Sequence, residues 1–483
     1  MNFPKIKIQP ALFLLIALQL LMQSCDKHSF TKDGKLRYSR DTVVFDTSFT
    51  QIGSYTTRVI VKNTNNKDIL IRKIYLEKGN SSRFRMNVDG FPGPMLTDVE
   101  VLAGDSIFVF IESTINPTGS SSALFEEDNI IIEYADKLDK IYLAAPGNHA
   151  KYFFPNDTLL DNLGRKYPVR ILQGTHVWDD KEPIVIVGNL VVDAGATLTM
   201  TPGTHVHMFN GAILWVYKGG TLKVLGERNR KVIIEGTRLG AANANLGGQW
   251  DRIWLNEGSD QHVIRHAIIK NGRLGVQAGG LDITDGSSPR HLLIENTSIY
   301  NMTSSSMLAI NYKITANNLF VNSFYQYGVA LVLGGDYKFT HSTISGYQSG
   351  TRLSPGLYFT NSYSEYIADM NLRVENSIIY GTNPTEVAFD IVSGTQFDYL
   401  FENCLLKVDP KLNTETSSFV ELKKNIDPKF YAPYGYDPSL KGGSEAIDAG
   451  NLNFAQGIPF DIHGKNRILD AKPDLGCAEY KGD

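Results

Sequence analysis

Six short segments in the second half of the chain repeat one pattern, in which a polar residue is followed three positions later by an apolar one. The polar residue is Asn or His in every case, and the segments begin at His266, Asn296, Asn317, His341, Asn376 and Asn403. Successive segments start 21 to 35 residues apart, within the range of roughly 20 to 50 residues that is typical of solenoid repeats. Because one such strand cannot bury both of its faces alone, this spacing predicts coils stacked about 4.8 Å apart.

The polar first position suits a corner of each coil, because Asn tolerates a left-handed backbone and can hydrogen-bond along the stack. The apolar fourth positions are predicted to share one interior: Ile269, Ile299, Phe320, Ile344, Ile379 and Leu406. Earlier in the chain, Gly188, Gly195, Gly211 and Gly219 each precede a short strand-like run. Together with the run from Trp250 to Leu255, this pattern resembles bacterial right-handed parallel β-helix proteins, and we predict such a helix over residues 183–440.

The end of the chain carries a more specific signature, which consists of Glu445–Asn451, Asp461–Arg467 and Pro473–Tyr480. It is similar to the terminal segment of surface β-helix proteins of the choice-of-anchor Q type, although Cys477 stands where alanine or another small residue is usual. A solenoid end exposes unpaired strand edges. Residues 441–483 are therefore predicted to form a C-terminal cap. Cys404 and Cys477 either pair or stay buried as thiols.

The first half of the chain has a different character. Between residues 38 and 147, β-branched and aromatic runs alternate with turn sequences such as Asn63–Asn66 and Gly104–Asp105, which predicts a β-sandwich. The arrangement resembles immunoglobulin-like domains of the abnormal-spindle and Hydin type, without the cysteine pair of antibody domains. Residues 148–182 are interpreted as a connecting segment. The predicted fold class is thus all-β, with a sandwich followed by the β-helix and its cap.

The N-terminus has the order of a targeting segment. Lys5 and Lys7 precede a largely apolar run of twelve residues from Ala11 to Met22, and Ser24 then precedes Cys25. This run is shorter than the roughly 20 residues that cross a membrane, so residues 1–24 are predicted to be a signal peptide. The motif resembles that of bacterial lipoproteins, although Met22 and Gln23 stand where Leu and a small residue are usual.

The lipoprotein resemblance implies that Cys25 becomes the lipidated N-terminus. Residues 25–37 would then be a polar tether, and the exported protein would be anchored through its lipid to a membrane, in the outer membrane or at the cell surface. The alternative is an ordinary secretory signal with a chance cysteine. Charged residues make up 20% of the chain, the net charge is −4 and no long run of one sign occurs, so nucleic acid is not an expected partner.

Two functions of different classes fit a β-helix on the cell surface, a noncatalytic scaffold and a polysaccharide lyase or glycoside hydrolase. A lyase would need a base beside carboxylates, and a hydrolase two carboxylates roughly 5 to 9.5 Å apart. The candidates are Arg265, His266, Lys270 and Arg273 with Asp282 and Asp285, and the pair Asp179 and Asp180. Solvated strand faces and turns account for these residues more simply. No catalytic residue is assigned.

His205 and His207 lie two apart on a predicted strand, so both face one side. The sequence offers no evident third ligand near them, and neither a metal nor a cofactor is predicted.

Aromatic residues indicate a binding surface. Seven tyrosines cluster in the later coils, where inserted loops would carry them: Tyr325, Tyr327, Tyr337, Tyr347, Tyr358, Tyr363 and Tyr366. Aromatic faces stack on sugar rings, and the hydroxyl adds polar contacts. An interior aromatic ladder is the alternative. We expect a noncatalytic scaffold that binds polysaccharide or a surface protein through these loops.

Overall fold

A computed structural model describes residues 30–45, 48–49, 53–114, 124–160, 163–240, 243–280, 290–348, 350–468 and 472–482. The chain divides into two compact units, residues 1–147 and 148–483. Strands dominate both units. Helical structure among the described residues consists of a 3₁₀ turn at Gly79–Ser81 and the short helix Leu452–Ala455. The predicted all-β class is confirmed.

The first unit is a sandwich of two sheets. One sheet has the strand order Leu36–Tyr38, Thr57–Asn63, Ser106–Ser113, Phe84–Val88 and Phe91–Pro92. The other has the order Thr42–Val44, Lys137–Asn148, Leu124–Tyr134, Ile69–Leu76 and Met95–Val101, and Ser48–Phe49 pairs with Lys137–Asn148. Alternate residues such as Val59 and Val61 on one sheet and Ile130 and Ile132 on the other are fully buried in a shared core. This alternation is what two packed sheets require.

The run from Asn129 to Leu143 is folded back on itself as a hairpin. Its two central residues, Ala135 and Asp136, both have positive φ angles, 46° and 57°, and Tyr134 pairs with Lys137 across the turn. Two such residues match the right-handed twist of the flanking strands.

The second unit is a parallel β-helix whose strands form three faces, named sheets 1, 2 and 3 in the order in which each coil visits them. Sheet 1 contains Lys151–Phe153, Ile184–Ile186, His205–Met208, Val232–Gly236, Ala267–Lys270, parts of Arg290–Met302 and Met307–Phe324, Thr343–Gly346, Ile378–Gly381, Leu405–Leu406 and Lys423–Lys424. Sheet 2 contains Lys166–Leu172, Asn189–Val192, Ile213–Val216, Arg252–Leu255, Val276–Ala278, parts of Met307–Phe324 and Val329–Thr340, Leu357–Thr360 and Val387–Asp390. Sheet 3 contains Thr175–Trp178, Thr197–Met200, Thr221–Leu225, Ser259–Arg265, parts of the same three long strands, Met370–Glu375, Phe397–Glu402 and Phe419–Val420.

The stack begins earlier than the sequence pattern indicated. Lys151–Phe153 pairs in parallel with Ile184–Ile186, and Thr175–Trp178 pairs in parallel with Thr197–Met200. Lys166–Leu172 also joins the stack and makes a hairpin with Asp157–Leu160. The segment interpreted as a connection over residues 148–182 therefore contains coil strands. A further antiparallel pair, Ser362–Tyr363 with Tyr366–Ile367, projects from a later coil.

Five of the six predicted interior residues lie in register. Ile269 pairs with Ile299, Ile344 with Ile379 and Ile379 with Leu406, and all are nearly inaccessible to solvent. The prediction was wrong for Phe320, which pairs with Ser298 and Thr343 on the outward face. Val321 occupies the interior position between Ile299 and Ile344. A shift of one residue along a strand moves a side chain to the opposite face.

The corner prediction shows the same one-residue shift. Positive φ angles between 45° and 53° occur at His266, Asn296, Asn318, His341, Asn376 and Asn403, and these six residues are called the corner row. Asn318, not Asn317, therefore occupies the corner. Its Nδ2 donates to Oδ1 of Asn296 at 2.8 Å, so the corner side chains do bond along the stack.

Residues 426–468 and 472–482, called the flank segment, pack on the outward face of sheet 1. The hairpin Phe430–Ala432 with Asp437–Leu440 opens the segment, and Phe430 and Leu440 join Ile378 and Leu405 in one buried cluster. Phe320 is buried beside Ile462, Cys477 and Ala478. The sequence analysis placed residues 426–440 in the coils and residues 441–483 in a cap over the last coil, whereas these contacts lie along the side of the stack.

Candidate functional site

Sheet 2 carries a pair of stacked indoles on its outward face. Leu214 and Val216 point into the core, so strand alternation turns Trp215 outward, and Trp254 is placed in the same way one coil later. The two residues are register partners. Their ring centroids are 5.1 Å apart with an interplanar angle of 9°. Trp215 and Trp254, the tryptophan pair, thus stack in parallel, with one face of each ring turned toward the other.

Hydrogen bonds at the polar edges fix both indoles. Nε1 of Trp215 donates to Oδ1 of Asn256, and Nε1 of Trp254 donates to the carbonyl of Gly279 at 3.0 Å. Tyr217 packs edge-on against Trp215 with a centroid distance of 5.6 Å. Because the N–H groups are already satisfied within the protein, a ligand in the cleft would meet the apolar ring surface that the stack leaves partly exposed.

A hairpin of the first coil forms the opposite wall of a cleft over these rings. The cleft has a volume of about 560 Å³. Its walls combine the tryptophan pair and Tyr217 with Leu159, Leu160, Arg165 and Tyr167. Leu160 is 65% exposed and Tyr167 is 38% exposed. Such exposure is unusual for apolar side chains that line the same cleft. We call this site the aromatic cleft.

Charged and amide groups continue from the tryptophan pair along sheet 2. Arg252 faces outward two residues before Trp254, and its Nη1 donates to Oε1 of Gln277, the register partner of Trp254. Asp251 lies 3.1 Å from Nε of Arg252 and 2.7 Å from Nη2 of Arg273. An apolar platform bordered by fixed hydrogen-bonding groups is the usual chemistry of a site for a polar ring compound.

The seven predicted tyrosines do not form one surface. Tyr337 is fully buried in the core and its hydroxyl donates to the carbonyl of Gly334 at 2.9 Å, so its predicted surface role is wrong. Tyr327 and Tyr358 stack with centroids 5.3 Å apart on sheet 2, and the Tyr358 hydroxyl donates to Asp390. Tyr363 and Tyr366 are exposed and pair across the projecting hairpin.

Tyr325 and Tyr347 line a second cleft, of about 470 Å³, beside the flank segment. Tyr347 packs edge-on against Phe430 and Tyr434 of that segment, at centroid distances of 6.0 and 5.7 Å. Tyr436 stacks on Tyr300 at 4.4 Å. Tyr347 is therefore largely used in packing, because the flank segment occupies the face that the sequence assigned to a ligand.

The candidate lyase residues are engaged in separate ion pairs. Nη2 of Arg265 lies 2.6 Å from Glu295, Nζ of Lys270 lies 2.8 Å from Glu235, and Arg273 pairs with Asp251. His266 is a corner residue. Asp282 and Asp285 lie outside the described residues.

The carboxylates of Asp179 and Asp180 have local partners. Oδ1 of Asp179 accepts from the backbone N–H of Lys181 at 3.2 Å, and Oδ2 of Asp180 lies 2.8 Å from Nη2 of Arg230. The first contact is a turn, as the simpler interpretation expected.

A polar groove of about 560 Å³ lies elsewhere on the coils, at the junction of sheets 2 and 3. Charged residues line much of it: Arg290, Lys313, Asp336, Asp369, Arg373 and Asp398. Lys313 and Asp336 form an ion pair at 3.2 Å, and Asn371 donates to Asp336 at 2.9 Å. This groove could not be predicted from the sequence, because its lining residues come from successive coils.

His205 and His207 do have a third potential metal ligand, Glu235, which the sequence analysis did not find. Burial lowers the pKa of His207 to about 3, so this imidazole is neutral at neutral pH. Burial also acts to raise the pKa of Glu235, but hydrogen bonds from His205 and Lys270 hold it at about 2. All three side chains lie on the outward face of sheet 1, away from the aromatic cleft.

Cys404 and Cys477 are both buried free thiols, so they do not pair with each other. Burial raises the pKa of each thiol to about 12, which makes both unreactive. Cys25 lies outside the described residues. Among the residues that are described, no helix is long and apolar enough to cross a membrane.

Comparison with known proteins gives only distant similarities. No family model matches the sequence, and no curated protein matches it. Among solved structures, the catalytic unit of a GH87 alpha-1,3-glucanase from Streptomyces thermodiastaticus is 10% identical, with a TM-score of 0.24 over 76% of this chain and 88% of the glucanase. The Agl-KA catalytic domain is 11% identical, with a TM-score of 0.22 over 78% of this chain and 89% of its own. A PapD-like domain of human CEP192 is 9% identical, with a TM-score of 0.18 over 26% of this chain and 93% of that domain. With TM-scores this low, no functional conclusion follows from these similarities.

Proposed function

We propose that the β-helix binds a glycan chain in the aromatic cleft and does not cleave it. The observation that carries this proposal is the tryptophan pair, whose two parallel indoles stack on each other, are hydrogen-bonded at their edges and line the cleft together with Tyr217. Sugar rings present apolar C–H faces that stack on aromatic rings, and their hydroxyl groups need hydrogen-bonding partners at the border. Arg252, whose side chain is 23% exposed, supplies such a partner beside Trp254.

The position of the cleft favours an extended ligand. The tryptophan pair, Gln277 and Tyr358 belong to one outward row of sheet 2 that follows the stacking direction of the coils. A chain that lies along this row meets one new side chain with each coil, roughly every 4.8 Å. Rigid strands hold these side chains, so little order has to be created upon binding.

Replacement of Trp254 with Ala is expected to weaken glycan binding about 30-fold. Covering about 80 Å² of aromatic surface at roughly 25 cal/mol per Å² contributes about 2 kcal/mol, which corresponds to that factor. A glycan array identifies the ligand, and isothermal titration of the wild type and the variant then measures the affinities.

Two variants serve as controls for this experiment. Trp254→Phe keeps a ring face and should retain most of the affinity, and Tyr366→Ala removes an exposed aromatic side chain of the projecting hairpin and should change nothing. Retained binding in Trp254→Ala together with lost binding in Tyr325→Ala would move the site to the second cleft. Binding of a protein and of no glycan would contradict the proposal.

Hydrolase activity is the second candidate function, and the polar groove with Asp336, Asp369 and Asp398 is the observation that favours it. Every glycan that binds should be incubated with the protein and analysed for new reducing or unsaturated ends. Release that disappears in Asp336→Asn and persists in Trp254→Ala would replace the noncatalytic proposal with an enzyme acting in that groove.

We also propose that residues 1–24 are removed on export and that lipid on Cys25 anchors the protein to a membrane. The support is the order of basic residues, apolar run, small residue and cysteine in the leader. In Cys25→Ala the protein should move from the membrane fraction to the soluble fraction, and a labelled fatty acid should no longer be incorporated.

Ser24→Ala is the matched control for Cys25→Ala, since it keeps a small residue before the cysteine. It should stay in the membrane fraction. Continued membrane association of Cys25→Ala, with no lipid label on the wild type, would contradict lipid anchoring.

A further inference from the structure

Two neighbouring coils bring two histidines and a glutamate together on sheet 1. Val206 and Met208 point into the core, so His205 and His207 both face outward from the strand His205–Met208. In the next coil, Glu235 is the register partner of His207. The three residues therefore share one face, although a long excursion through sheets 2 and 3 separates them along the chain.

The side chains of these residues converge on a small volume. The imidazole centroids of His205 and His207 are 4.0 Å apart, and Nε2 of His205 lies 2.6 Å from Oε1 of Glu235. One ligand atom from each residue can be chosen so that all three lie within 4.8 Å of one another. Ligand atoms arranged around a zinc ion at about 2.0 to 2.2 Å are separated by roughly 3.3 Å in tetrahedral geometry. The His205 and Glu235 atoms would need to separate by less than about 1 Å.

Lys270 occupies the next position in the same row, and its Nζ lies 2.8 Å from Oε2 of Glu235. This contact fixes the carboxylate through one oxygen and leaves the other directed at the histidines. A partner outside the ligand set commonly orients metal-binding carboxylates and imidazoles in this way. The contacts of Glu235 with His205 and Lys270 also compensate the charge of the carboxylate without an ion.

We propose that His205, His207 and Glu235 bind one divalent transition-metal ion, with zinc as the preferred ion. Two imidazoles and one carboxylate are an established ligand set for zinc with an open fourth position. The side chain of His205 is 34% exposed, whereas that of Glu235 is only 11% exposed. Solvent therefore reaches the site on the His205 side, where a water molecule would complete the tetrahedron. The site is separate from the aromatic cleft and does not depend on the glycan proposal.

Titration of the purified full chain with Zn²⁺, after removal of metal by a chelator, tests the site. We expect one equivalent to bind with measurable heat and to raise the melting temperature. His205→Ala and Glu235→Gln should each weaken binding by about 100-fold or more, since even the loss of an orienting partner outside the ligand set costs 10- to 100-fold. His176→Ala removes a histidine of sheet 3 and should bind as the wild type does.

Substitution with Co²⁺ gives a readout that a purely structural cluster would not produce. Tetrahedral coordination should give intense visible absorption in the wild type, and His205→Ala should lose it. His205→Ala is the variant to rely on if Glu235→Gln fails to fold, because His205 is the more exposed residue. Absence of a stoichiometric site, or a site of unchanged affinity in both ligand variants, would overturn the proposal.

Discussion

Replacement of Arg467 with Met is expected to lower the free energy of unfolding of the β-helix unit by about 3 to 5 kcal/mol. Arg467 and Glu479 form an ion pair within the flank segment, and their side chains are 0% and 2% exposed. Removal of the arginine leaves a carboxylate buried without its cation, which is far more costly than loss of the attraction alone. Chemical denaturation followed by circular dichroism measures the difference.

Arg467 also connects the flank segment to the coils. Its Nη2 donates to Oδ1 of Asn318 in the corner row at 2.7 Å. Asn318 in turn donates to the carbonyl of Phe460 at 2.8 Å. Further along, Asn376 donates to the carbonyl of Asn451 at 2.9 Å and accepts from its N–H at 2.8 Å. We therefore expect Arg467→Met to loosen the segment from the coils as well.

The loss of stability in Arg467→Met should depend on pH, because the pair contains a buried carboxyl group. Burial raises the pKa of Glu479 from 4.5 to about 7, although Arg467 acts to lower it. The folded chain therefore takes up this proton more readily than the unfolded chain, and stability from this group increases as the pH falls from about 7 to 4.5. Without Arg467 the pKa of Glu479 rises further. The loss in free energy of unfolding caused by Arg467→Met should then be largest near pH 8 and smaller near pH 5.

Arg230→Met is the matched control, because Arg230 pairs with Asp180 at 2.8 Å while both side chains are about half exposed, 52% and 47%. Such a surface pair contributes about 0 to 1 kcal/mol. The double variant Arg467→Met with Glu479→Leu should recover much of the lost stability, since both charges of the pair are then removed together. Equal losses in Arg467→Met and Arg230→Met would contradict a buried pair.

Truncation of Ile344 to Ala is expected to cost about 2 to 5 kcal/mol. Ile344 is 3% exposed and lies in the interior row between Val321 and Ile379. The lost free energy includes the transfer free energy of the removed carbon groups. It also includes the cost of the cavity that is left, because the stacked coils cannot collapse to fill it. The midpoint of chemical denaturation should shift without a change in the dependence on denaturant.

Ile391→Ala is the control for this prediction, because Ile391 is 53% exposed. A surface truncation of this kind changes stability by about 0.5 kcal/mol or less. If Ile344→Ala were as mild as Ile391→Ala, Ile344 would not belong to the stacked interior, and the register of these coils would have to be revised.

Local patterns in the sequence were sufficient for the fold class. Asn and His recur where the backbone must turn with a positive φ angle, and five of the six predicted corner residues have one. Residues such as Ile299 and Ile344 alternate with polar neighbours, and this alternation indicates which face of a strand is buried. The error at Asn317 and Phe320 arose because Leu319, Phe320 and Val321 are all apolar, so alternation could not choose among registers.

The candidate sites required the tertiary structure. Trp215 with Trp254, and His207 with Glu235, become neighbours because they are register partners in consecutive coils. Such register pairs cannot be recognised in the sequence, because the coils differ in length. No fixed number of residues therefore separates one strand from the next strand in its sheet. The exposure of the tyrosines also depends on the tertiary structure. The flank segment, which comes from the C-terminal end of the chain, buries part of their surface. The sequence alone thus determined the kind of coil, through preferences that each strand expresses locally. Only the stacking of the coils decided which side chains become neighbours. The register between two coils depends on the residue at which each loop ends and the next strand begins.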